Sequence, residues 1–118
     1  MAAKYDLHID QGSTFTRDFI YEDEDGAPQN LAGYSARMMI RKAKTSLGEP
    51  TFDSNDAAGA LVVTGAEGKV TLTLTDDVTQ ALPAPFEGFY DIELDDGSGV
   101  ITRLIQGRVF IDPNVTRD

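Results

Sequence analysis

The 118 residues are enough for one domain with its own core, and the composition already excludes several classes of protein. There is no cysteine, which excludes disulfides, thiolate zinc sites and cysteine nucleophiles. Twenty acidic and ten basic residues give a formal net charge of −10, so a phosphate backbone would be repelled and we expect no nucleic-acid partner. The N-terminus lacks the apolar segment of a signal peptide and no apolar run could cross a bilayer, so we expect folding in a cytoplasm and no membrane partner.

The first third of the chain contains three segments in which apolar and polar residues alternate, as they do in strands with one buried face. These predicted strands are residues 4–9, 14–21 and 34–42. In the first strand Tyr5, Leu7 and Ile9 share the face that should be buried. A turn at residues 10–13 separates the first two strands, and an acidic tip at residues 22–26 ends the second.

The middle of the chain predicts two short strands, one regular strand and a short helix. After a polar loop at residues 43–50, the predicted strands are residues 51–53, 60–64 and 69–75. The last of these has the most regular alternation in the chain. Thr75 or Asp76 is suited to cap a helix of one or two turns that runs through Leu82, and Pro83 ends it.

The longest pattern is a hairpin over residues 88–112. Its first arm places Tyr90, Ile92 and Leu94 on the buried face, and a glycine-rich turn at residues 96–99 reverses the chain. In its second arm the apolar residues at odd-numbered positions, which should share one face, are Ile101, Ile105, Val109 and Ile111. Arg103 and Gly107 interrupt this series, and Leu104 is apolar at an even-numbered position. We therefore predict a β-bulge near Gln106-Gly107, because one extra residue switches the facing of every residue after it.

Seven or eight short strands separated by turns predict an all-β protein: an immunoglobulin-like antiparallel β-sandwich with one short helical crossover. We expect a single domain over residues 1–118, of which residues 113–118 form a C-terminal tail.

The sequence offers no complete catalytic, cofactor or metal site. His8 lies between Asp6 and Asp10 on one strand face, but one imidazole and two carboxylates are an incomplete ligand set, and a solvated strand face is the favoured interpretation. The acidic run at residues 23–26 lacks the spacing of a calcium-binding loop, which favours a solvated tip over a weak calcium site there or at Asp95-Asp96. No serine has the setting of a nucleophile.

One cluster of basic residues stands out in this acidic chain. Arg37 and Arg41 share the outward face of the third predicted strand with Met39, and Lys42 and Lys44 follow directly. A solvated edge is the favoured interpretation, and the alternative is a polar contact to an acidic neighbouring subunit. These five residues are the candidate partner contacts.

Five segments, taken in this order, resemble small virion proteins of tailed bacteriophages, in particular the immunoglobulin-like N-terminal domain of baseplate upper proteins. The segments are IDQGSTFT (9–16), LAGYSARMMIR (31–41), YDIEL (90–94), TRLIQG (102–107) and DPNVTR (112–117). The resemblance implies a non-enzymatic structural protein of the virion, present in multiple symmetric copies, that attaches tail, baseplate or fibre proteins to one another. A capsid decoration or head-fibre protein and a carbohydrate-binding adhesion module are the alternatives.

Overall fold

The computed structural model describes residues 3–46 and 48–115, which form nine strands and one short α-helix. In chain order the strands are β1 (Ala3–Lys4), β2 (Leu7–Asp10), β3 (Phe15–Ile20), β4 (Ser35–Arg41), β5 (Phe52–Asp53), β6 (Leu61–Thr64), β7 (Lys69–Leu74), β8 (Phe86–Asp95) and β9 (Ile101–Asp112). The helix α1 (Asp76–Ala81) connects β7 to β8, and single 3-10 turns lie at Ser54–Asp56 and Gly65–Glu67.

The strands form two sheets. The larger sheet has the order β1-β9-β8-β4-β5 with β2 also paired to β9, and the smaller has the order β3-β7-β6. The two sheets pack face to face around one core, as in a β-sandwich. The prediction of an all-β sandwich with one short helical crossover is thus confirmed.

The first strands depart from the predicted antiparallel arrangement, because β1 and β2 both run parallel to β9. After β2 the chain turns at residues 11–13 and enters the other sheet as β3, so the two neighbouring segments never pair. The predicted strand at residues 4–9 is also interrupted, which is why nine strands are found where seven or eight were expected.

The core consists of the inward faces that alternation predicted. Val70, Leu72 and Leu74 of β7 are fully buried, and Ile92 and Leu94 of β8 are buried in the facing sheet. These side chains belong to one continuous cluster that includes Leu7 and Ile9 of β2, Phe15 and Phe19 of β3, and Val109 and Ile111 of β9. Each sheet therefore has one buried face, which leaves the opposite face of each sheet to solvent or to partners.

The hairpin contains the predicted bulge at a different residue. Ile92 lies opposite Ile105 and Glu93 lies opposite Arg103, so Leu104 is the extra residue and the prediction of a bulge near Gln106-Gly107 is wrong by two positions. Leu104 and Ile105 are consequently both buried, whereas Ile101 is 53% exposed. Tertiary packing selects this position, because it buries two consecutive apolar side chains.

Between β1 and β2, two hydrogen bonds between side chains and the backbone replace strand pairing. The carbonyl oxygen of Tyr5 accepts a hydrogen bond from the Tyr90 hydroxyl at 2.5 Å, and the Asp6 carboxylate accepts the backbone N–H of Arg108 at 2.9 Å. Gly107 makes room, because a Cβ there would overlap the carbonyl group of Tyr5. Burial raises the pKa of the Tyr90 phenol above its ordinary value, so its proton stays in place.

Tyr5 itself lies outside the core, contrary to its predicted inward position. It is 43% exposed, and its ring packs edge-on against Phe19 of β3 at a centroid distance of 6.1 Å. The Nε of Arg17 donates to its hydroxyl at 3.3 Å. Tyr5 therefore joins the edge of the larger sheet to the edge of the smaller one.

The helix and the end of the chain close one end of the sandwich. Thr75 caps α1 as predicted, since its Oγ1 accepts the N–H of Val78. The buried Oγ1 of Thr79 donates to the carbonyl of Ser13 at 2.8 Å and accepts the N–H of Gly12 at 3.0 Å, which fixes the turn after β2. Of the predicted tail, residues 113–115 are described, and the Asn114 side chain donates to Gln80; residues 116–118 lie outside the described part.

Candidate interaction face

The candidate site is the outer face of the larger sheet, which comprises the side chains of β1, β2, β4, β5, β8 and β9 that point away from the core. Since Tyr90, Ile92 and Leu94 of β8 are buried, their neighbours Phe89, Asp91 and Glu93 lie on this face. The cations on this face are Lys4, Arg37, Arg41, Arg103 and Arg108, and Lys44 of the adjoining loop is counted with them. Its carboxylates are Asp10, Asp53, Glu87, Asp91, Glu93, Asp95 and Asp112.

A row of aromatic and cationic groups crosses this face. The guanidinium of Arg108 lies 5.1 Å from the ring centroid of Phe110 and 5.7 Å from that of Phe89, its direct neighbour on β8. His8 stacks on Phe110 with ring centroids 4.9 Å apart, and the Nζ of Lys44 lies 5.6 Å from the centre of Phe89. Cation–π contacts of this kind hold the long side chains against the sheet.

Ion pairs hold further side chains in place. The Nε of Arg103 lies 3.3 Å from Asp91, and Arg108 pairs with Glu87. Arg37 binds both carboxylate oxygens of Asp53, the closer contact being 2.6 Å. The hydrogen bond from Arg37 lowers the pKa of Asp53 below its ordinary value. Pairs as exposed as these add little stability, and their main effect is to fix where each charge lies on the face.

The charges on this face are arranged in stripes along the strands. The outward residues of β8 include four carboxylates, Glu87, Asp91, Glu93 and Asp95, interrupted by Phe89. On one side β4 presents Arg37 and Arg41, and on the other side β9 presents Arg103 and Arg108. Neighbouring strands are about 4.8 Å apart, so a negative stripe lies between two positive ones.

An open concavity of about 270 Å³ lies among these stripes. It is lined by Met39, Arg41, Lys44, Phe89, Tyr90, Asp91, Glu93, Arg103 and Gln106. The lining provides donors, acceptors and an aromatic edge. It includes no serine, cysteine or histidine, the residues of the common nucleophile and base pairs. This arrangement is suited to binding a surface of mixed charge.

The structure places the five candidate partner contacts in different settings. Arg37, Met39 and Arg41 share the outward face of β4 as the alternation predicts, and Lys42 is exposed just after the strand. Arg41 donates to the carbonyl groups of Ser46 at 3.3 Å and Gly48 at 3.0 Å, so it also holds the loop that carries Lys44. The five residues do not form a purely basic patch, because the carboxylates of β5 and β8 lie beside them.

Sequence reasoning missed the hairpin half of this face, which consists of Phe89, Arg103, Arg108 and Phe110. The alternation of β8 does indicate that Phe89 points outward. On β9, however, the facing of each residue depends on which side of the bulge it lies, and only the observed bulge at Leu104 places Arg103, Arg108 and Phe110 together.

The other polar motifs serve local structure. The Oδ1 of Asp23 accepts the N–H groups of Asp25 and Ala27 within the acidic tip, at 2.9 and 3.0 Å. At the hairpin turn, Asp96 accepts the N–H groups of Ser98 and Val100 in the same way. In residues 3–46 and 48–115 there is no group of three or more acidic or histidine side chains arranged to hold a metal ion.

Two further findings bear on the assignment. Within the described residues, no helix has the length and apolar character needed to cross a membrane. No protein-family model matches the chain, and a search of curated proteins gives no significant match. The β-sandwich fold and the outer face of the larger sheet are therefore the structural features from which a function is inferred.

Proposed function

We propose that this protein is a non-enzymatic structural component of a tailed-bacteriophage virion, where it serves as an adaptor or attachment module in the tail, at the baseplate or at the attachment of tail fibres. The observation that carries the proposal is the ordered set of segments that resembles phage baseplate proteins. Most of these segments fall on the strands β2, β4, β8 and β9 of the larger sheet. The same segments supply much of its outer face.

The character of the outer face supports a role in binding proteins. Interfaces between proteins are enriched in aromatic residues, methionine and arginine. Phe89, Phe110, Met39 and several arginines lie together here on a sheet whose other face is anchored in the core. Such a rigid surface loses little freedom when it binds, and repetition around the particle would multiply a modest affinity.

The partners in this proposal are other virion proteins of the tail, baseplate or fibres. The candidate contacts are Arg37, Met39, Arg41, Lys42 and Lys44, and we add to them the aromatic row on β9 and β8. The chain would be assembled into the particle in the bacterial cytoplasm.

Mass spectrometry of separated tails and heads from purified particles tests this proposal. We expect the protein in the tail fraction, in a constant ratio to a known tail component. Recovery with heads alone would replace the tail assignment by a capsid decoration or head-fibre role. Absence from both fractions would overturn every virion role.

A carbohydrate-binding module is less well supported by the geometry. Sugar recognition by aromatic residues needs a ring with a free face, but Phe110 is stacked with His8 and has Arg108 close by, and Phe89 lies beside both Arg108 and Lys44. A glycan array with the purified chain tests this alternative. Binding that is lost in Phe89→Ala would favour adhesion.

A further inference from the structure

Of the strands that end a sheet, β3 is the longest, and it pairs with β7 on one side only. The N–H of Tyr21 donates to the carbonyl of Gly68, which continues the register of β3 with β7, so the odd-numbered residues of β3 bond to β7. Thr16, Asp18 and Ile20 consequently point their backbone N–H and C=O groups away from the sheet. A free edge of this kind is a template on which strands of other chains can pair.

Arg17 occupies a position on this edge that alternation assigns to the core. The residues two positions before and after it, Phe15 and Phe19, are buried, whereas Arg17 is exposed. Its guanidinium lies 5.1 Å from the ring centroid of Phe15, which holds it against the strand. Its Nη1 donates to the carbonyl of Thr16 at 2.9 Å, and its Nε donates to the hydroxyl of Tyr5 at 3.3 Å. Arg17 therefore covers one of the outward carbonyl groups of the edge.

The order of the charges on β3 also opposes antiparallel pairing with the same strand of a second copy. Outward residues must lie opposite outward residues, and since these are the even-numbered ones, one residue always faces its own counterpart. The two longest overlaps are residues 15–19, centred on Arg17, and residues 16–20, centred on Asp18. Each overlap places a like charge directly opposite itself, which destabilises the pair. The attractive arrangement, with Arg17 opposite Asp18, is not available because it would set outward groups against groups already bonded to β7.

We propose that Arg17 blocks the free edge of the smaller sheet and prevents a second copy of the chain from adding to it as a strand. The positive charge opposes the overlap centred on Arg17. The guanidinium also occupies the Thr16 carbonyl, which both overlaps need as an acceptor. This role goes beyond the proposed function and does not depend on it, because it follows from the charges and hydrogen bonds of the chain itself.

Sedimentation equilibrium of the purified full chain over a range of concentrations tests the proposal. Arg17→Thr removes the charge and the cover but keeps a polar, β-branched side chain suited to a strand. Its self-association constant should exceed that of the wild type by about tenfold or more, although the variant is more negative overall. Arg17→Lys keeps the charge and should associate as weakly as the wild type. Lys69→Thr is the matched control, because it removes the same charge from β7, the middle strand of the same sheet, and should leave association unchanged.

Hydrogen exchange identifies the surface through which the variant associates. In Arg17→Thr the backbone amides of Asp18 and Ile20 should exchange more slowly as the concentration rises, because strand pairing gives them carbonyl partners. In the wild type their exchange should not depend on concentration. Circular dichroism verifies folding. If Arg17→Thr does not fold, Arg17→Gln replaces it, and this uncharged variant should associate more strongly than Arg17→Lys, whose side chain also reaches past the edge.

The proposal is overturned by a folded Arg17→Thr variant that associates no more than the wild type, or by an equal rise in Lys69→Thr. Association that leaves the amides of Asp18 and Ile20 unprotected would also overturn it, because the contact would then lie elsewhere. Wild-type amides that become protected at high concentration would show that the edge is open despite Arg17. None of these results bears on the virion role, which the composition of purified particles tests separately.

Discussion

Replacing Gly107 by alanine should destabilise the protein through an effect on Tyr5, a residue 102 positions earlier in the chain. A Cβ at position 107 would overlap the carbonyl oxygen of Tyr5 and lie 2.7 Å from its carbonyl carbon. Both are backbone atoms, so they cannot swing aside as a flexible side chain would. The connection between β1 and β2 must instead move by roughly 0.7 Å or more to reach an ordinary contact distance.

The structure gives the expected magnitude. Moving Tyr5 strains the 2.5 Å hydrogen bond from the Tyr90 hydroxyl, and Tyr90 is only 4% exposed. An unsatisfied buried hydroxyl costs about 1–3 kcal/mol, and overpacking costs about 1–3 kcal/mol more. The smaller entropy of an unfolded chain with alanine offsets about 0.4–1 kcal/mol. The expected loss in the free energy of unfolding is therefore about 1–6 kcal/mol, a fall in Tm of roughly 4–22 °C.

Urea denaturation followed by circular dichroism measures this loss, and a double-mutant cycle tests its cause. Tyr90→Phe removes the same hydrogen bond without adding volume and should cost about 1 kcal/mol. Because both substitutions act on one bond, the double variant should cost about 1 kcal/mol less than the sum of the two. Additive losses, or a Gly107→Ala variant as stable as wild type, would refute the proposed link between these three residues.

Three other substitutions test the remaining structure by the same denaturation assay. Leu72→Ala should lower the free energy of unfolding by about 2–5 kcal/mol, because the side chain is fully buried, while Val62→Ala at the exposed face should change it by less than about 0.5 kcal/mol. Thr79→Val should cost about 1–3 kcal/mol, since it leaves the backbone groups of the turn after β2 without their partner. The pKa of Asp53 is lowered in the folded state, so the unfolded state binds protons more readily and stability falls as the pH drops below about 4. The Asp53→Asn variant should therefore lose less Tm than the wild type between pH 6 and pH 3. An equal loss of Tm in the two proteins would contradict this prediction.

The sequence predicted less of the interaction face than of the fold. Alternation along β4 correctly grouped Arg37, Met39 and Arg41, because facing within one strand is a local property. The same reasoning missed that Asp53 binds Arg37, because the pair depends on how β5 lies beside β4. The sequence also suggested a basic cluster, whereas in the sheet the cations of β4 lie beside the carboxylates of β8.

The sequence by itself determined the strands, the cap of the short helix and the inward faces, because periodicity of two, turn residues and helix caps act between residues close in the chain. Only the tertiary structure decided the position of the bulge at Leu104, the parallel pairing of β1 and β2 with β9, and the carbonyl of Tyr5 that turns toward Tyr90. Each of these depends on contacts between residues far apart in the chain. Their partners are chosen by burial and by the need to satisfy every buried polar group, and no local pattern records that choice.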